Sequence, residues 1–169
     1  MSNLLGASEI REIAERIGVS PTKKLGQNFV IDANTCRKIV NTAEVGSEDI
    51  ALEIGPGLGS LTLALMEKAK AVVAVEIDNR LAAQLSLTAQ SHGFDPTKLM
   101  VVNDDALNLK SLPVEPTILV ANLPYNVSVP VLIRILELFP SIKSGVVMVQ
   151  SEVADRLIAK PGGKEYGAP

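Results

Sequence analysis

A chain of 169 residues with 47% hydrophobic content is long and apolar enough for one globular domain with a substantial core, which excludes a disordered tail or linker. A formal net charge of −3 gives no global basic footprint, so any contact with nucleic acid must rest on a local patch. The lone cysteine, Cys36, excludes an internal disulfide. With no charged-then-apolar leader and no apolar run of the roughly twenty residues a membrane span needs, a soluble protein of the reducing cytoplasm is expected.

Aromatic residues make up only 3% of the chain, and Val, Ile, Leu and Ala dominate, which suits strands covered by helices on both faces. Ser8 offers an N-cap for a first helix, with Ile10, Ile13, Ala14 and Ile17 forming one apolar stripe and Gly18 a stop. Ser20–Phe29, with Pro21, Gly26 and adjacent Lys23 and Lys24, reads as a loop. Asp32 caps a second helix that turns Cys36, Ile39, Val40 and Ala43 inward, so Cys36 is expected to pack rather than react. Apolar runs then recur at Ile50–Ile54, Ala71–Val75, Leu99–Val102, Thr117–Ala121 and Val146–Val149. Helical stretches alternate with them at Leu61–Lys68, Arg80–Ser91, Pro130–Leu138 and Glu152–Ala159, with Pro130 suited to a first helical position. This alternation predicts an α/β fold of parallel strands joined by right-handed crossovers. The tail Lys160–Pro169 reads as a loop without a closing element.

The polar residues with chemical potential sit at successive strand ends. After the first strand, Glu53–Ile54–Gly55–Pro56–Gly57–Leu58–Gly59 offers glycines that let the backbone turn sharply and approach a ligand closely. Ser60 stands where a dinucleotide fingerprint has its third Gly or Ala, which weakens a nicotinamide or flavin reading. Glu76, at the end of the second strand, is placed to accept hydrogen bonds from both ribose hydroxyls, and a carboxylate there disfavours a 2′-phosphate. At the third, Asp104 or Asp105 could accept a hydrogen bond from an exocyclic amine, and spacing alone does not choose between them. As a catalytic dyad the pair is disfavoured, since neighbours on a strand point to opposite faces.

The fourth strand ends in Asn122–Leu123–Pro124–Tyr125. An adenine N6 amine is a poor nucleophile because its lone pair is delocalised into the ring. Asn122 Oδ1 and the Leu123 carbonyl could accept the amine hydrogens and turn that lone pair toward a methyl donor, while Tyr125 stacks on an extruded base. An ordinary strand-to-loop turn explains Pro124 and could explain Asn122, but not the whole set at this sheet position. Lys23–Phe29 could close over a ligand or touch phosphate, against the simpler reading of a solvated loop. His92 has no partner in any recognisable motif and is given no role, and neither a metal site nor a Ser/His/Asp or Cys/His arrangement can be built.

Read together, Leu25–Gly26–Gln27–Asn28–Phe29, Glu53-x-Gly55-x-Gly57-x-Gly59, Glu76, Asp105–Ala106 and Asn122–Leu123–Pro124–Tyr125 resemble the ribosomal RNA adenine N6-dimethyltransferases, from Pro21 to Ala168. Gln150–Ala154 and Lys164–Gly167 resemble later family signatures. The branch most similar is the small-subunit one, whose loss gives kasugamycin resistance; the large-subunit resistance enzymes usually carry isoleucine where Leu123 stands. The resemblance implies a class I S-adenosylmethionine-dependent methyltransferase (Rossmann-like) fold that dimethylates two adjacent adenines near the 3′ end of 16S ribosomal RNA during ribosome assembly. By position it implies a cofactor site of Gln27, Asn28, Val30, Gly55, Gly57, Glu76, Ile77, Asp105, Ala106 and Asn122, and so favours Asp105 over Asp104. Val30 departs from the more usual leucine. Catalysis would fall to Asn122, Leu123, Pro124 and Tyr125.

As one methyltransferase domain, residues 1–46 supply the N-terminal helices and loop, 47–159 the α/β core and 160–169 the tail. Family members continue with further strands and a small helical domain, so a truncated piece is expected, monomeric but with an exposed sheet edge open to contacts. Three rivals remain at this level: a non-catalytic RNA-binding or assembly module on the same fold, a large-subunit ribosomal RNA adenine methyltransferase, and a nucleotide-dependent oxidoreductase.

Overall fold

The apolar runs become the strands of a parallel sheet, buried along its three middle strands and partly exposed at its two edges. The computed structural model describes residues 4–19, 32–123, 128–148 and 161. Within them β1 (Ile50–Ile54), β2 (Ala71–Val75) and β3 (Leu99–Val102) occupy their predicted spans. β4 is Ile118–Asn122 rather than Thr117–Ala121. Pairing of Asn122 with Met148 carries its ladder onward, while Thr117 Oγ1 is engaged by Asp49 and by the Ile50 N–H. β5 is Ser144–Met148, starting before its apolar run because Ser144 and Gly145 pair with Ile118 and Leu119 through backbone alone.

All pairings among the described strands are parallel, in the order β3-β2-β1-β4-β5. The order reverses between β1 and β4, and such a switch point opens a crevice at the strands' carboxyl ends. Asp49 pins the opposite end: its carboxylate accepts from Gly46 N at 2.8 Å and Thr117 Oγ1 at 2.8 Å, and lies 3.3 Å from Lys143 Nζ. These bonds, that from Gly46 foremost, hold its pKa below the usual carboxylate range.

Among the described residues five α-helices cover the sheet: α1 (Ala7–Ile17), α2 (Ala33–Thr42), α3 (Ser60–Met66), α4 (Asn79–Ser91) and α5 (Ser128–Leu138). Side-chain alternation along the strands builds two cores. Ala51, Val72, Ala74, Ile118 and Val120 pack with the first four helices, and Leu52, Val73, Leu119 and Ala121 with α5. Asp32 caps α2 as predicted, accepting from Thr35 N at 2.8 Å. Cys36 is fully buried, and burial foremost pushes its thiol up to about 12, so it packs and stays inert.

Three local expectations are corrected. Gly6, not Ser8, precedes α1, and Ser8 lies inside the helix; glycine tolerates the extended N-cap backbone without offering a side-chain bond. Pro130 sits in the first turn of α5 but after Ser128, at a position whose missing N–H still has no intrahelical partner. His92 is not idle: its Nε2 lies 2.7 Å from Glu9 Oε2, tying the end of α4 to the start of α1. Arg80 Nη1 donates to Gly18 O at 2.7 Å at the other end, so α1 lies antiparallel along α4. The Ser20–Phe29 loop, the Glu152–Ala159 helix and, apart from Pro161, the tail Lys160–Pro169 lie outside the described residues.

Gly145 faces Leu119 across the β4–β5 pair, and a Cβ there would overlap the Leu119 backbone carbonyl. Backbone cannot rotate away as a side chain can. Gly145→Ala is therefore expected to cost about 1–3 kcal/mol of unfolding free energy, read as a lower denaturant midpoint at unchanged slope. An unaltered midpoint would contradict the register.

Candidate functional site

The switch point brings the first and fourth predicted strand ends side by side. Gly55 leaves β1 at φ 73°, a left-handed conformation that favours glycine, and donates its N–H to Val75 O at 2.9 Å. A Cβ on Gly55 would meet the Asn122 backbone oxygen at 3.2 Å. The glycine loop and the end of β4 therefore form one continuous wall. Asn122 shares its sheet face with Ile118 and Val120 by alternation, is half-buried, and its side chain bonds to no described residue. Leu123 donates its N–H to Met148 O at 3.1 Å, which fixes its backbone, while its side chain is buried in the α5 core. Its carbonyl is what it can offer a ligand. Pro124 and Tyr125 lie outside the described residues, as do Gln27, Asn28 and Val30.

Glu76 is the bolt of the neighbouring strand end. It is 1% exposed rather than a solvated terminus. Its Oε1 accepts from Gly57 N at 3.0 Å and its Oε2 from Asp78 N at 2.9 Å. Desolvation, the largest influence, raises its pKa, and the N–H donors of Asp78 and Gly57 oppose it. Each oxygen keeps a further lone pair for a hydroxyl donor. Beside it Ile77 stands 63% exposed, an apolar side chain held out at the crevice.

Asp104 and Asp105 lie beyond the end of β3, in the turn, so strand alternation does not govern their directions. Asp104 Oδ1 accepts from Asp105 N at 2.7 Å, and Asp105 Oδ1 from Leu107 N at 2.9 Å. Asp105 is the less exposed of the two. Ala106 is buried in the α5 core, so its approach to a ligand is through backbone.

Sequence reasoning gave Glu53 no role of its own. It is 1% exposed on β1, accepts a short hydrogen bond from Thr62 Oγ1 on α3, and lies close enough to Cys36 and Glu76 to affect the titration of one and feel the charge of the other. Burial first, with the Glu76 charge adding to it against the Thr62 bond, raises its pKa to about 8. Its place as first residue of the glycine motif was the only signal. No described helix is long and apolar enough to cross a membrane, and the described residues contain no His/Cys/Asp/Glu group able to hold a metal ion.

The family model described as ribosomal RNA adenine dimethylase matches residues 19–168. A ribosomal RNA small subunit methyltransferase A from Leifsonia xyli is 61% identical over 98% of this chain and 60% of its own length. A dimethyladenosine transferase from Plasmodium falciparum superposes with TM-score 0.71 at 32% identity, over 80% of this chain and 48% of that one. The 23S rRNA methyltransferase ErmE superposes with TM-score 0.65 at 34% identity, over 75% and 50%. The chain spans 57–60% of the length of the curated relatives it matches. Sheet order and these likenesses give the fold as the class I S-adenosylmethionine-dependent methyltransferase type.

Proposed function

This chain belongs to the ribosomal RNA adenine dimethylase family, and from that membership we propose that it transfers methyl groups from S-adenosylmethionine to N6 of two adjacent adenines near the 3′ end of small-subunit ribosomal RNA. The observation that carries the reading is the adjacency of donor and acceptor walls, with the Asn122 carbonyl 3.2 Å from where a Gly55 Cβ would lie. The residues fit the cofactor: a glycine loop open to close approach, a buried carboxylate with lone pairs to spare, and an exposed Ile77 for the flat base. When bound, S-adenosylmethionine supplies an electrophilic methyl group on a sulfonium.

The protein's own part is alignment. Asn122 Oδ1 and the Leu123 carbonyl accept the two amine hydrogens, which localises the nitrogen lone pair and fixes its direction. The Met148 carbonyl holds the Leu123 N–H and so fixes the peptide that presents this acceptor. No strong base is required, because the amine sheds its proton to solvent after the N–C bond has formed. Gly55, Gly57, Glu76, Ile77, Asp105 and Ala106 surround the nucleoside side of the crevice. Gln27, Asn28, Val30, Pro124 and Tyr125 enter this reading through their place in the family motifs alone. The small-subunit target is favoured over the large-subunit one by 56–61% identity to relatives named for the small subunit, against 34% to ErmE.

Calorimetric titration with S-adenosylmethionine and with NAD tests the reading, since binding of NAD alone would sink it. Glu76→Ala is expected to weaken S-adenosylmethionine affinity roughly tenfold or more, the cost of losing charge-assisted hydrogen bonds. Unchanged affinity in that variant would dismiss the ribose assignment.

A further inference from the structure

Asn103 lies between the two strand ends assigned to the cofactor nucleoside and is unused in the mechanism above. The backbone ladder of β2 and β3 runs one residue past the strands, with Glu76 N donating to Val102 O at 2.9 Å. The Asn103 side chain then takes over where the ladder stops. Its Nδ2 donates to Glu76 O at 2.8 Å and to Ile77 O at 3.2 Å. Two carbonyl oxygens can be met only by an NH₂ group, so the orientation of this amide is fixed by chemistry. The peptides it clamps belong to Glu76, whose carboxylate also holds the Gly57 N–H, and to Ile77, which is kept 63% exposed. Asp105 follows it by two residues.

We propose that Asn103 is a positioning residue that sets the nucleoside half of the cofactor site, by locking the carbonyls of Glu76 and Ile77 in place before any ligand arrives. This rests on the methyltransferase reading above. One side chain thereby fixes the spacing between the ribose acceptor, the apolar platform for the base and the carboxylate for its amine. A strand end without this bond would bind the same groups only after ordering them, and affinity would fall by that cost.

The test is calorimetric binding of S-adenosylhomocysteine and of adenosine alone to the wild-type chain and to Asn103→Ser, Asn103→Ala and Asn103→Asp, with the thermal midpoint of each recorded. Serine keeps one donor, alanine none, and aspartate sets an acceptor against two carbonyls. The expected order of affinity is Asn, Ser, Ala, Asp, with alanine roughly threefold to tenfold weaker than wild type for both ligands by the same factor. A lowered thermal midpoint with unchanged affinity would show a merely structural bond and overturn the proposal. So would Asn103→Asp binding as wild type does. If the wild-type chain bound neither ligand, the methyltransferase reading itself would fail first and this inference with it.

Discussion

Replacing Asn122 by alanine in the natural protein that contains this chain is expected to lower methyl transfer roughly 10²–10³-fold, the usual cost of removing one preorganised hydrogen-bonding group from a transition state. Affinity for S-adenosylhomocysteine should survive. The Asn122 side chain bonds to no described residue, while the part of it that borders the glycine loop is its backbone oxygen, 3.2 Å from a Cβ built on Gly55. Alanine keeps that oxygen. The loss should therefore fall on turnover if the amide acts, as proposed, on the target amine. Single-turnover transfer by the variant at the wild-type rate would remove the amine-acceptor role.

The second large effect concerns stability rather than turnover. Glu53 is raised from 4.5 to about 8 in the folded chain, burial being the main cause. Between those values the unfolded chain has released this proton while the folded chain keeps it. Stability from this group is therefore fully present below about pH 4.5 and drains away as pH climbs toward 8. One proton corresponds to a limiting slope of about 1.4 kcal/mol per pH unit. Glu53→Gln copies the protonated carboxyl in shape and still accepts from Thr62 Oγ1. The variant should show a flatter decline of unfolding free energy from pH 5 to 8, and should exceed wild type at pH 8. Parallel slopes in urea titrations of the two proteins would contradict a buried, proton-bearing Glu53.

How much of this was legible in the sequence depended on the range of the interaction. β1, β2 and β3 were readable to the residue because their apolar runs, interrupted only by Glu53 in β1, end against charged, amide or glycine neighbours. β5 was not, since Ser144 and Gly145 enter the sheet only by virtue of Ile118 and Leu119 opposite them, far away in the chain. The site divides in the same way. Gly55, Glu76 and Asn122 declared themselves by falling at successive strand ends, and the parallel order then set Gly55 beside Asn122. Glu53 stood first in the glycine motif and Asn103 at the third strand end, but neither position told what it bonds to, and His92 fell in no motif. Each acquires meaning from a partner on another element: Thr62 on α3, the Glu76 and Ile77 carbonyls past β2, and Glu9 on α1. An isolated acid, amide or imidazole in a sequence does not announce a bond across the fold.

The central claim is that a nucleoside cofactor at the ends of β1, β2 and β3 faces an adenine amine held at the end of β4. The most direct measurement is transfer of tritiated methyl from S-adenosylmethionine to immature small ribosomal subunits by the natural protein containing this chain, with the labelled nucleosides then separated. Label in N6,N6-dimethyladenosine at two adjacent positions near the 3′ end of small-subunit RNA is the predicted result. Label confined to large-subunit RNA, or none on either, would contradict it.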